Sequence, residues 1–245
     1  KAIFLETPTN PTMEISDLRA ISQIAHENNF LVIVDNTFLT PYFQRPLDLG
    51  ADIVIHSGTK YLCGHNDVLV GFTVAKDPVI ADKLRLIYKT TGACLGALDA
   101  WLVIRGIKTL PLRMEQHQKN AFAIAKWLQK QPRVQYVLYP GLENHPGYEI
   151  NKAQTTGFGG MISFAVDSAE TARQILEGVK LIKFAESLGG TESLITYPIR
   201  QTHTDLTAEE CAEKGITDCL LRFSTGIEAT QDLIDDLAQA FAAVE

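Results

Sequence analysis

The chain has 245 residues, is 46% apolar, and carries 22 basic against 29 acidic side chains for a formal net charge of −7. That length suits one large or two modest domains, and no uninterrupted apolar run approaches the roughly 20 residues of a membrane helix. A chain of this charge, without clustered Lys and Arg, is a poor partner for nucleic acid, whose binding depends on neutralising phosphates.

In chain order, Ala2 to Glu6 reads as a strand. A turn at Pro11 precedes a helix over Asp17 to Asn28, with Leu18, Ile21, Ile24 and Ala25 at helical spacing and Ser16 as its expected cap. Phe30 to Asp35 is a continuous apolar run of the kind expected of a strand buried on both faces, and Asp52 to His56 repeats it. Gly71 to Ala75 is a further strand, Pro78 to Tyr88 and Leu95 to Arg105 read as helices, and Lys108 to Lys130 carries a long amphipathic pattern. Val134 to Tyr139, Gly160 to Val166 and Leu220 to Ser224 then read as strands. Ala169 to Gly178 and Gln231 to Val244 read as helices packed on one face.

Strand and helix alternate as a mostly parallel sheet requires, so the expected fold is an α/β large domain followed by a smaller α+β C-terminal domain. The long helix bridges them. A boundary near Pro111 gives a large domain over residues 1–112 and a small domain over 113–245.

The segment Asp52-Ile53-Val54-Ile55-His56-Ser57-Gly58-Thr59-Lys60-Tyr61 runs a short strand into a turn that presents one lysine beside two hydroxyls. Val32 to Thr37 ends another strand on the carboxylate of Asp35. Both groups fall at carboxyl ends of strands, where open α/β sheets bind their ligands. A lysine amine can hold a cofactor aldehyde covalently and act as a base once released, and a carboxylate can keep a pyridine nitrogen protonated. Ser57 and Thr59 can hydrogen-bond a phosphate, helped by turn amides. The set points to pyridoxal 5′-phosphate (PLP). Spacing alone equally allows Asp35 to cap a helix and Lys60 to lie on the surface.

Six segments follow one another in order: Glu6-Thr7-Pro8-Thr9-Asn10-Pro11, Val34 to Phe38, His56 to Tyr61, Glu186-Ser187-Leu188-Gly189-Gly190-Thr191-Glu192-Ser193, Thr202-His203, and Leu221-Arg222-Phe223-Ser224-Thr225-Gly226-Ile227-Glu228. Over essentially the whole chain this resembles the cystathionine γ-synthase, cystathionine lyase and methionine γ-lyase family of Cys/Met metabolism enzymes. The resemblance implies the PLP-dependent transferase fold (fold type I, aspartate aminotransferase-like). It implies a cofactor held by Lys60, Asp35, Ser57, Thr59 and Asn10, and an amino-acid substrate gripped by Arg222 and Asn10. Ser187 would stand near the catalytic lysine, with Thr202 in the same neighbourhood. Glu186, just before that serine, resembles the pattern of γ-synthases and γ-lyases and would hold the distal amino group of cystathionine; a solvated loop glutamate is the other reading.

The resemblance further implies that an N-terminal arm and the first part of the cofactor domain precede Lys1. It implies a homotetramer, a dimer of dimers with shared active sites, in the cytoplasm. The expected reaction is cleavage of the C–S bond of L-cystathionine, with γ-elimination favoured and β-elimination of cystathionine or cysteine possible. The alternatives are γ-replacement joining cysteine to an O-acylhomoserine, or an inactive structural homologue. A nicotinamide site would need a G-x-G-x-x-G turn, which is absent from the sequence. Cys63, Cys94, Cys211 and Cys219 have no C-x-x-C spacing and the six histidines no metal-ligand spacing, so no metal is expected. Thr156 to Gly160 precedes a strand instead of opening a helix and reads as a turn, not a phosphate loop.

Overall fold

The computed structural model describes residues 1–201 and 207–244. Thr202 and His203 lie outside these residues. Strands β1 (Ala2–Glu6), β2 (Leu31–Asp35), β3 (Ile53–Ser57) and β4 (Gly71–Ala75) form a sheet in that order, β1–β2 and β2–β3 parallel and β3–β4 antiparallel. Parallel neighbours need a crossover connection, and α1 (Leu18–Glu27) supplies the first. Its cap is Asp17, whose side chain accepts from Ala20 N at 3.0 Å. The expected Ser16 stands one residue too early and instead donates its backbone N–H to Thr7 Oγ1.

Among the described residues, strand β2 is covered on one face. Val32 and Val34 are fully buried against Leu18 and Ala25 of α1, while Leu31 is exposed and Ile33 half-buried. The cover supplied by α1 lies on the face of Val32 and Val34, and the opposite face leaves Phe4 62% exposed. The apolar run marks the strand, and this chain supplies the cover of one of its faces.

A short helix α2 (Thr40–Phe43) precedes β3, and α3 (Pro78–Thr91), α4 (Ala97–Ile107) and α5 (Leu110–Leu128) follow β4. Helix α3 continues to Thr91 and stops at Gly92, whose φ of +72° only glycine adopts cheaply.

The second sheet has β5 (Val134–Leu138), β6 (Met161–Val166), β7 (Lys183–Phe184), β8 (Leu194–Thr196) and β9 (Leu220–Ser224) in the order β5-β6-β9-β8-β7, antiparallel except for β7–β8. Around it run α6 (Tyr148–Gln154), α7 (Ala169–Gly178), α8 (Ala208–Glu213) and α9 (Thr230–Ala242). The unpredicted elements α2, α6, α8, β7 and β8 are too short to carry a period.

Every residue of β6 and β9 is buried. Ile124 and Leu128 of α5, Ile175 of α7 and Leu237 of α9 join Phe164 and Phe223 in one core, each worth about 1.5–3 kcal/mol of burial. The other end of α5 puts Leu110 and Met114 into a separate cluster with Tyr61 and Leu62. One helix thus joins the core of the second sheet to the turn beyond β3.

Candidate active site

Asp35 and Ser57 stand at the last positions of two neighbouring parallel strands, and Lys60 lies in the turn beyond β3. Local bonds set this end of the sheet. Thr37 N donates to Asp35 Oδ1 at 2.9 Å, and Ser57 N donates to Thr37 Oγ1 at 2.8 Å. The turn is closed by Lys60 N to Ser57 O, Cys63 N to Gly58 O and Gly64 N to Lys60 O. Thr59 Oγ1 accepts from Val70 N at 3.0 Å, so this hydroxyl also ties the turn to the segment leading into β4.

Contacts from distant segments complete the cluster. Lys60 Nζ donates to Ser187 Oγ at 2.9 Å across 127 residues of sequence. Arg222, in the middle of β9 and 2% exposed, donates to Asn10 Oδ1 at 2.9 Å, Ser187 O at 3.1 Å and Thr196 Oγ1 at 3.1 Å. Its Nε is buried with no hydrogen-bond partner among the described residues. Ser187 holds φ +85°, a conformation costing a non-glycine residue about 1–3 kcal/mol, and bonds at both its hydroxyl and its carbonyl fix it there. Glu186 is exposed beside it and lines a cavity of about 490 Å³ with Thr59, Asn66, Asp67, Val68 and Ser187.

Burial lowers the Lys60 amine below its ordinary value, the Arg222 charge lowers it further, and Glu186 opposes both effects. Burial likewise brings Arg222 down to about 10, which leaves it protonated at neutral pH. Glu6, the register partner of Asp35, accepts from Asn10 N at 2.8 Å; burial and the Asp35 charge raise its carboxyl while that hydrogen bond opposes the rise.

The structure therefore brings Lys60, Asn10, Ser187 and Arg222 into one hydrogen-bonded chain, with Asp35, Ser57 and Thr59 at the adjoining strand ends and Glu186 at the rim. Thr202 lies outside the described residues. Sequence reading gave no role to Glu6, which orients Asn10, or to Thr196, which helps fix Arg222. Glu6 opens the Glu6 to Pro11 segment and Thr196 lies outside the six segments; only their bonds give them a part. Among the described residues, no three His, Cys, Asp or Glu side chains converge as a metal site, and no helix is long and apolar enough to cross a membrane.

The donor set suits a pyridine aldehyde phosphate: an amine with lowered basicity, a carboxylate two residues from the hydroxyl bond that fixes its strand end, and hydroxyls in an amide-rich turn. Fold and site together define a lysine-bearing α/β enzyme of the fold type I, pyridoxal phosphate-dependent class. The sequence places it more narrowly. The chain belongs to the Cys/Met metabolism PLP-dependent enzyme family, which matches residues 1–242.

Among its relatives, it is 52% identical over 240 residues to the cystathionine gamma-lyase of Bacillus subtilis strain 168, covering 98% of this chain and 63% of the relative. It is 54% identical over 242 residues to the cystathionine gamma-synthase of Haemophilus influenzae, covering 99% and 61%. The crystal structure of cystathionine gamma-lyase from Lactobacillus plantarum complexed with L-serine superposes with a TM-score of 0.97 at 44% identity, over 100% of this chain and 64% of that one. The chain thus spans less than two thirds of the length of these proteins.

Proposed function

We propose that this chain carries the central machinery of a C–S lyase that cleaves L-cystathionine, with γ-elimination as the main reaction and β-elimination of cystathionine or cysteine beside it. The observation that carries the reading is the hydrogen-bonded chain from Lys60 through Ser187 to Arg222 and Asn10. It sets a movable base beside a fixed guanidinium, as needed by an enzyme that removes a proton next to a carboxylate.

PLP, when bound, supplies the electron sink that makes the substrate Cα–H acidic. In this reading Lys60 holds the cofactor aldehyde at rest, and Asp35 keeps its ring nitrogen protonated. Ser57 and Thr59 would meet its phosphate, and Asn10 would also help to hold it. Arg222 and Asn10 grip the substrate α-carboxylate and so aim its Cα–H at Lys60. Lys60 Nζ takes that proton, with Ser187 Oγ holding the amine on the correct side. Glu186, at the rim of the cavity, pairs with the distal ammonium of cystathionine.

Residues 1–112 form the C-terminal portion of the cofactor domain and 113–245 the small domain. The working protein is a cytoplasmic homotetramer of two dimers, with sites completed between subunits. The second reading is γ-replacement, joining cysteine to an O-acylhomoserine. The similarity to the Haemophilus synthase favours it as strongly as the Bacillus relative favours the lyase.

Product analysis on the full-length protein separates them. Release of ammonia and a keto acid from cystathionine supports the lyase, and efficient formation of cystathionine from O-acylhomoserine and cysteine without elimination overturns it. Replacing Glu186 by Gln raises KM for cystathionine by roughly an exposed ion pair's worth, a few-fold. It leaves KM unchanged for a substrate without a distal amine.

A further inference from the structure

Arg113, near the start of α5, is 3% exposed, and among the described residues no carboxylate pairs with it. An arginine buried without a counter-ion is costly unless its donors are taken up. All three of its nitrogens have acceptors. NH1 donates to Tyr61 O at 2.6 Å, NH2 to Gly106 O at 2.9 Å and Leu62 O at 3.3 Å, and Nε to Thr109 Oγ1 at 3.1 Å.

The chain is shaped to admit this group. A side chain at Gly64, where φ is +74°, would run into Arg113 NH1, and one at Gly106 would run into Cys63 O. The two carbonyls that meet the fork at Tyr61 and Leu62 directly follow Lys60. They belong to the turn closed by Cys63 N to Gly58 O and Gly64 N to Lys60 O. Tyr61 itself is fully buried and cannot swing.

We propose that Arg113 is a positioning residue for Lys60: its guanidinium clamps the carbonyls after the lysine onto α5, whose other end is set in the core of the second sheet, holding the Lys60 backbone while its side chain moves. The proposal rests on the reading of Lys60 as the base. A guanidinium suits the task because its planar fork reaches three carbonyls from two segments, whereas an ammonium offers one compact charge. Ser187 holds the tip of Lys60 and Arg113 the root. The Arg222 clamp sits on β9, a separate element, so substrate affinity and lysine placement are governed by different residues.

Arg113→Lys in the full-length holoenzyme lowers kcat about ten- to hundredfold, the range that an ångström of misplacement costs, and leaves KM within about twofold. The acid limb of the kcat–pH profile moves upward, because a loosened turn hydrates Lys60 and relieves the burial that lowers its amine; Arg222 and Glu186, the charges that face it, are unchanged. In cofactor-free protein, alkylation of Cys63, 1% exposed and raised to about 11 chiefly by burial, accelerates about tenfold, the loss of one charge-assisted hydrogen bond.

Thr109→Val, which removes the Nε acceptor together with the hydroxyl's own bond to Gly106 O and leaves the bonds of both terminal nitrogens, gives a smaller change of the same kind and serves if Arg113→Lys fails to fold. A folded Arg113→Lys enzyme with wild-type kcat, acid limb and Cys63 alkylation overturns the proposal, as does a change confined to KM. A Lys60→Ala enzyme that keeps its turnover overturns the reading of the base instead.

Discussion

The turn that carries Lys60 and the strand that carries Arg222 hold their cations in opposite ways. Lys60 is half-buried beyond the end of β3 and makes one side-chain hydrogen bond, to Ser187 Oγ. Arg222 is 2% exposed in the centre of β9, where all five residues are buried, and makes three side-chain hydrogen bonds from its two terminal nitrogens. The difference matches the proposed roles: a group that delivers and recovers a proton needs alternative rotamers, and a group that orients a carboxylate needs none. The first accordingly sits on a pinned turn and the second inside a core strand.

The largest test breaks the mobile half. Lys60→Ala lowers kcat by about 10²–10⁴, the usual contribution of a positioned base, and abolishes the long-wavelength absorbance band formed with added PLP. Both are read on the same full-length sample. A variant with the band and near-normal turnover would place the base elsewhere and end the contrast.

The next test addresses the joint between the halves. His117 Nδ1 donates to Thr225 O at 2.6 Å, three residues past Arg222, and its ring packs edge-on to Tyr61, next to Lys60. Burial lowers this histidine from 6.5 to about 4, helped by Arg113 and opposed by its backbone hydrogen bonds. Between those values the unfolded chain binds the proton and the native chain does not, so stability rises with pH across that window and falls as pH drops through it. The shift corresponds to about 3 kcal/mol. Denaturant titrations from pH 7 to pH 4 should show this slope in wild type and a flatter one in His117→Gln. Equal slopes would remove His117 as the neutral link between turn and strand.

Arg222→Lys tests the rigid half and should raise KM about tenfold, one lost bidentate contact, with a smaller effect on kcat. Steady-state kinetics on two substrates sharing only the α-carboxylate checks it, because both must suffer equally. The smallest effect belongs to the residue that touches both cations. Ser187→Ala removes the hydroxyl bonded to Lys60 and leaves the carbonyl bonded to Arg222, so kcat should fall about fivefold, near 1 kcal/mol, with KM unchanged. A KM effect instead would mean that the loop serves the clamp more than the base.

Much of the fold was legible because its signals are local. A period of 3.6 marked α1 and α5, and short apolar runs marked β1, β2, β3 and β9, within one or two residues of the observed ends. The Ser16 cap failed by one position because Ser and Asp are both good caps and only the backbone path decides which reaches N3. The cysteines are divided by packing that their spacing does not encode, with Cys63 and Cys211 buried and Cys94 exposed.

The sequence by itself determined which chemical groups the chain can present and which stand at strand ends, since the strand-to-turn runs that deliver Asp35 and Lys60 are each contained in about ten residues. Tertiary structure alone decided which groups meet. Lys60 reaches Ser187 across 127 positions and Arg222 reaches Asn10 across 212. Arg113, an ordinary helical arginine by its surroundings in the chain, lies under Lys60 only because α5 crosses beneath the turn. Helix and strand periods arise from forces between near neighbours, whereas such meetings depend on how whole layers pack, which no short window of residues encodes.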